Sequence, residues 1–64
     1  MSDFKSRLEV EKNELEDKTR KLTDFLYCDK GFELSEGNRL LLNKQLKLMN
    51  EYLEILIIRL ELLN

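Results

Sequence analysis

The sequence predicts an all-α protein, an antiparallel two-helix hairpin that assembles into a homo-oligomeric helical bundle. Three observations carry this expectation. The 64-residue chain has no proline and only two glycines, Gly31 and Gly37, so helix breakers are confined to its middle. Leucines recur at helical spacing on both sides of that break. The second half also carries more apolar surface than the first half can cover, and association is the remaining way to bury it.

The first helix is expected from about Asp3 to Cys28, with Ser2 or Asp3 as its N-cap. Leu8, Leu15 and Leu22 repeat every seven residues, and Phe4 and Phe25 flank them on an adjoining row that also holds Glu11 and Lys18. Oppositely charged residues stand four apart at Lys5–Glu9, Arg7–Glu11, Lys12–Glu16, Glu14–Lys18, Glu16–Arg20 and Asp17–Lys21. Such pairs contribute about 0.2–0.5 kcal/mol each, and they read as a solvated face that keeps a long helix wound.

Residues 29–35 form the connection. Gly31 is placed to end a helix in the left-handed conformation, and Ser35, followed by Glu36, is placed to cap the next one. A link this short makes the two helices antiparallel neighbours. Phe32 and Leu34 are expected to fold back and plug the closed end of the hairpin.

The second helix is expected from about Glu36 to Leu63. Leu42, Leu46, Met49, Leu53, Leu56, Leu60 and Leu63 alternate spacings of four and three, a heptad seam. A second stripe of Leu41, Leu48, Ile55 and Leu62 runs beside it, with Tyr52 and Arg59 on the neighbouring row and Ile57 and Ile58 widening the apolar surface. About nine hydrophobic residues in the first helix face about fifteen in the second. An obligate homo-oligomer follows, with Leu46, Met49, Leu53, Leu56, Leu60 and Leu63 as the expected subunit interface.

Composition narrows the function. A chain this short is a single domain over 1–64, and small folds lean on disulfides, metals or association. One cysteine, Cys28, closes no internal disulfide, and without histidine it makes no zinc site. Cys28 reads as a small filler near the turn. A lone thiol suits a reducing compartment, and Met1 to Val10 carries Asp3, Lys5, Arg7 and Glu9 where a signal peptide would be apolar. Leu53 to Leu63 is interrupted by Glu54, Arg59 and Glu61, far short of the roughly 20 apolar residues of a membrane span. A soluble cytosolic protein is expected, with no membrane partner. Catalytic motifs are missing: no histidine, no glycine-rich phosphate loop, no serine nucleophile motif. The expectation is therefore no enzyme activity, no cofactor and no metal.

The formal charge is −2, from 11 Lys+Arg against 13 Asp+Glu, which disfavours a DNA or RNA duplex as ligand. A local basic pocket is compatible with that total. Its candidates are Arg20, Lys21 and Arg59. Arg59 lies within an apolar stretch, where it either pairs with Glu61, Glu54 or an acid of another subunit, or grips an anion with its planar fork. Lys21 either pairs with Asp17 or serves the same anion. Tyr52 and Phe4 are either core or stacking platforms. In a hairpin turning near Gly31, Lys21 and Arg59 lie roughly 25 Å apart along the axis at 1.5 Å per residue. They converge only if a second hairpin packs head-to-tail, so a site using both lies between subunits and forms twice in a two-fold pair.

Taken in order, Arg7-Leu8, Glu11, Glu14-Leu15, Lys18, Lys21-Leu22 and Phe25-Leu26, then Phe32-Glu33-Leu34-Ser35, then Leu42, Gln45-Leu46, Met49, Tyr52-Leu53, Leu56 and Arg59-Leu60 make up a recognisable pattern. It resembles the short phage hairpin proteins that sequester cyclic nucleotides, the anti-CBASS sponges, whose hairpin domain is shared with a sponge directed against Thoeris signalling. The resemblance spans nearly the whole chain. It implies a homo-oligomer, typically a hexamer, in the cytoplasm of the infected bacterial host, which binds cyclic di- or trinucleotides without degrading them. It implies pockets between subunits built from a lysine in a Lys-Leu-Thr stretch, an N-terminal aromatic and an arginine late in the second helix. The matching positions are Lys21, Thr23, Phe4 and Arg59. Phe4 offers a stacking ring without the hydroxyl of the family's tyrosine.

Two further readings fit the same residues: a helical-hairpin interaction module without a nucleotide ligand, and an inhibitor that binds a host protein. Arg59→Leu separates the module from the sponge. A module tolerates the substitution or gains thermal stability from it, because a buried charge has been replaced by an apolar side chain. A sponge loses ligand binding, as read by calorimetry.

Overall fold

The structure, a computed structural model, describes residues 3–63. Three helices follow in order, α1 (Asp3–Leu26), α2 (Asp29–Phe32) and α3 (Glu36–Leu63). α1 packs along α3, and the molecule is a rod of 47 × 15 × 12 Å. Of the two cap residues proposed for α1, Ser2 lies outside the described residues. Among the described residues no helix is long and apolar enough to cross a membrane.

Burial along α3 falls on Arg39, Leu42, Leu46, Met49, Leu53, Leu56 and Leu60, a strict alternation of three and four. On α1 the matching stripe is Lys5, Leu8, Lys12, Leu15, Thr19, Leu22 and Leu26. The leucine row of α1 is as expected, but its companion row is not that of Phe4, Glu11, Lys18 and Phe25. It is the row of Lys5, Lys12, Thr19 and Leu26. Lys5 and Lys12 suit a seam because their methylene stems cover apolar surface while the ammonium groups reach water. Thr19 is buried with its hydroxyl donating to the Leu15 carbonyl at 2.7 Å, so it enters the seam without an unsatisfied polar group.

The α3 seam is therefore spent largely inside the hairpin. Leu56, assigned from the sequence to a subunit interface, is 0 % exposed within one chain. Leu46, Met49, Leu53 and Leu60 are half-buried on the same seam, and Leu63 is exposed. The row that stays open is the second stripe: Leu41, Leu48, Ile55 and Leu62 are 65, 57, 54 and 79 % exposed. The total accessible surface is 5056 Å². A compact chain of 7.7 kDa would expose about 4,300 Å².

The closed end differs from expectation in three ways. α1 stops at Leu26, two residues early, and residues 29–32 form the extra turn α2. Gly31 has no positive φ. What it supplies is room: a Cβ there would lie 2.2 Å from the Phe25 carbonyl oxygen and 2.9 Å from Leu26 Cα. Phe32 also does not plug the core. It is exposed, with the Arg39 guanidinium 4.7 Å above its ring, while Leu34 is half-buried. Ser35 does cap α3, its Oγ accepting the Asn38 amide at 3.2 Å.

α1 has no basic residue in its last turn to meet the negative helix end. Arg39 supplies the charge from α3. Its Nη1 donates to the Leu26 carbonyl at 3.2 Å and to the Gly31 carbonyl at 2.7 Å, tying the end of α1, α2 and the start of α3 together. The other terminal carbonyls of α1 are served locally: Thr23 and Asp24 accept the Tyr27 amide, and Phe25 accepts the Cys28 amide and thiol.

The two glycines should respond to alanine with opposite signs. Gly31→Ala forces a methyl into backbone and is expected to cost about 1–3 kcal/mol. Gly37→Ala meets nothing within 4 Å and lies in helix, so it is expected to stabilise by up to about 1 kcal/mol. Thermal unfolding followed by helical circular dichroism checks both.

Candidate functional site

At the open end of the hairpin, Phe4, Arg7, Leu8, Glu11 and Arg59 line a depression of about 370 Å³. The first four stand at helical spacings of three and four, so one face of α1 presents them together. Arg59 comes from α3, brought level by antiparallel packing along nearly the full helix length. The register is held just below, where the Tyr52 hydroxyl donates to Oε2 of Glu11 across the two helices. That bond favours the neutral phenol, and it is the main reason the Tyr52 hydroxyl titrates above its ordinary range; desolvation adds in the same direction.

The depression is electropositive by composition, two guanidinium groups against one carboxylate. Among the described residues neither Arg7 nor Arg59 forms an ion pair. Phe4, at its rim, is 56 % exposed and does not fill the core. Two positively charged forks, an exposed ring and an aliphatic floor at Leu8 suit a ligand with anionic oxygens and a planar apolar part.

The sequence-derived site residues divide into two groups. Phe4 and Arg59 meet in this depression. Lys21 and Thr23 lie elsewhere, with Lys21 about 20 Å from Arg7 along α1 at 1.5 Å per residue. Lys21 ion-pairs with Asp17 at 3.0 Å, and Asp17 also receives Arg20 at 2.7 Å. The Lys21 hydrogen bond, followed by that of Arg20, holds the Asp17 carboxyl below its ordinary value. The pair is exposed and easily exchanged for another anion. The Thr23 hydroxyl donates to the Thr19 carbonyl at 2.8 Å, so it must rotate away to serve a ligand.

Of the charge pairs expected along α1, Lys12–Glu16 forms at 3.8 Å and Asp17–Lys21 as above, while Arg20 turns to Asp17 and Asp24. Arg7 and Glu11 were read from the sequence as a solvated pair, and the structure makes both part of the depression. The signal was present in the spacing of Phe4, Arg7, Leu8 and Glu11, but only the helix register shows that Arg59 faces them. A larger groove of about 590 Å³ runs along α3 past Asn43, Lys47, Asn50, Glu51 and Glu54. One lysine against two carboxylates makes it the poorer anion site, and α1 contributes nothing to it. Among the described residues no group of three acidic or cysteine side chains is placed to hold a metal ion.

The family model for Sequestin matches residues 2–62. The chain belongs to the Sequestin family. The match covers the same span as the resemblance to sponge-type anti-defence proteins read from the sequence, and the helical hairpin is consistent with it. No curated protein and no solved structure matches this Sequestin chain.

The Tyr52–Glu11 bond should be visible as a pH dependence. A phenol whose folded-state pKa is raised contributes stability below its ordinary value of about 10 and loses it as pH rises through the folded value. The stability gap between the wild type and Tyr52→Phe should therefore be constant at neutral pH and shrink in alkaline buffer. Thermal melts of the two proteins across that range measure it.

Proposed function

We propose that this Sequestin-family protein is a phage anti-defence sponge. It binds cyclic oligonucleotide second messengers, cyclic dinucleotides first and trinucleotides by extension, and holds them uncleaved, so that host CBASS effectors are not activated. The observation that carries this reading is the open-end depression, where Arg7 and Arg59 flank the exposed Phe4 ring. Phosphate groups would take the guanidinium forks, and a base would stack on the ring. The family's name, which speaks of sequestering, supports a binding rather than a converting role. Retention without turnover needs no acid, base or nucleophile, only burial and charge neutralisation in a preformed site.

A homo-oligomer is part of the same proposal. Leu41, Leu48 and Ile55 stand four residues before Gln45, Tyr52 and Arg59, so the exposed apolar row borders the Tyr52 and Arg59 row on α3. Lys21 lies fourteen residues after Arg7, about four turns along, and so on the same side of α1. One face of the hairpin thus carries Phe4, Arg7 and Arg59 at one end, Lys21 at the other, and apolar side chains between them. A second copy docked head-to-tail on that face covers the apolar row and brings its own Lys21 toward Arg59. In this reading Thr23 accompanies Lys21 at the phosphate, and the intact site forms twice per pair.

Calorimetric titration with a panel of cyclic di- and trinucleotides tests the reading, followed by heat release and analysis of the recovered ligand. Tight stoichiometric binding with intact recovery is expected. Arg59→Ala and Lys21→Ala should each weaken binding by about 10- to 100-fold, the effect of losing one charge-assisted hydrogen bond, with the oligomer retained in light scattering. Absence of binding across the panel would overturn the sponge and leave the exposed α3 row as a docking face for a protein.

A further inference from the structure

Two arginines line the depression, and the carboxylate that could neutralise them is engaged by another partner. Glu11 stands four residues after Arg7, the spacing at which oppositely charged side chains meet on a helix, and it shares the depression with Arg59. Elsewhere on α1 acids do take a cation at that spacing: Lys12–Glu16 closes at 3.8 Å, Asp17–Lys21 at 3.0 Å and Arg20–Asp24 at 3.6 Å. Among the described residues Glu11 forms no such pair. Its Oε2 accepts the Tyr52 hydroxyl from the opposite helix instead. Tyr52 stands seven residues before Arg59 on the same row of α3, about 10 Å nearer the closed end at 1.5 Å per residue. The phenol remains a donor through neutral pH, since its hydroxyl titrates above the ordinary range, chiefly because of this bond.

We infer that Tyr52 is a positioning residue of the depression, and that by holding the Glu11 carboxylate it leaves the guanidinium groups of Arg7 and Arg59 free for anionic oxygens. The inference rests on the sponge reading above for its ligand, the phosphates of a cyclic nucleotide. Tyr52 acts through Glu11 and does not itself touch the ligand. Without the hydroxyl, the carboxylate turns to Arg7 or Arg59, and a phosphate must displace it before binding. An exposed ion pair of that kind is easily broken, so the loss is modest and grows as salt is withdrawn.

A double-mutant cycle separates this role from a direct or a structural one. Calorimetry with cyclic GMP–AMP and with inorganic pyrophosphate, in low salt, is run on the wild type, Tyr52→Phe, Glu11→Gln and the double variant. Helical circular dichroism confirms that each is folded. Glu11→Gln keeps an acceptor for Tyr52 and removes the charge. Tyr52→Phe should weaken binding about three- to fivefold and Glu11→Gln should tighten it, each effect shrinking in added salt. In the Glu11→Gln background Tyr52→Phe should change nothing, because no carboxylate is left to divert. An equal loss in both backgrounds would mean that Tyr52 contacts the ligand or merely holds the register, and would overturn the inference. A Tyr52→Phe variant that binds as the wild type does would overturn it too, leaving the sponge intact. If pyrophosphate shows the coupling and no cyclic nucleotide binds, the sponge falls and the role of Tyr52 stands; if neither probe binds, both fall.

Discussion

The placement of the open end depends on how the closed end is clamped. Arg39 reaches from the first turns of α3 to the last carbonyl of α1 and to the carbonyl of Gly31, with Phe32 under its guanidinium. A charged donor shared between two backbone acceptors makes a stronger tie than neutral turn hydrogen bonds would. It serves a helix end that has no cation of its own, and it holds the short helix α2 against both long ones. With that corner fixed, the heptad rows of α1 and α3 have one register. In that register Tyr52 meets Glu11 and Arg59 comes level with Phe4 and Arg7, nearly thirty residues from the turn.

The second constraint is the mismatch between the helices. α1 supplies four leucines, a threonine and two lysine stems to the seam, enough to cover one stripe of α3 and no more. The seam therefore closes within one chain and the extra apolar row of α3 is left outside, on the same side as Tyr52 and Arg59. Apolar surface and unpaired guanidinium groups on one face form a surface suited to exclude water around an anion once it is covered. Lys21 shares that side but sits at the far end of the rod, held meanwhile by Asp17. In the proposed reading, ligand capture and self-association are two uses of one face.

The depression sets two arginines against one carboxylate. Two arginines without a carboxylate would accept any phosphate ester. Glu11, fixed by a hydrogen bond from the facing helix, lowers the attraction of the depression for a bare anion. The net charge of −2 is compatible with that local excess of positive charge.

Periodicity and breakers were legible in the residues. The two long helices, the Ser35 cap, the leucine row of α1 and the α3 seam from Leu42 to Leu60 follow from side-chain spacing and from the lack of proline, because these are local properties of a helix. So does the surplus of apolar surface in the second half. Only the folded arrangement decided which row of α1 accompanies its leucines, because Lys12 and Thr19 enter a seam by snorkelling and by bonding their own helix, and hydropathy does not register either device. Only packing could show that Gly31 is needed for space beside the Phe25 carbonyl rather than for a left-handed turn. Of the candidate site, the sequence singles out Phe4 and Arg59, which the structure brings to one depression, whereas Arg7 and Glu11 look like an ordinary surface pair until the antiparallel register sets Arg59 and Tyr52 against them. Neighbours so distant along the chain are set by how two helices align, and no spacing within either helix contains that information.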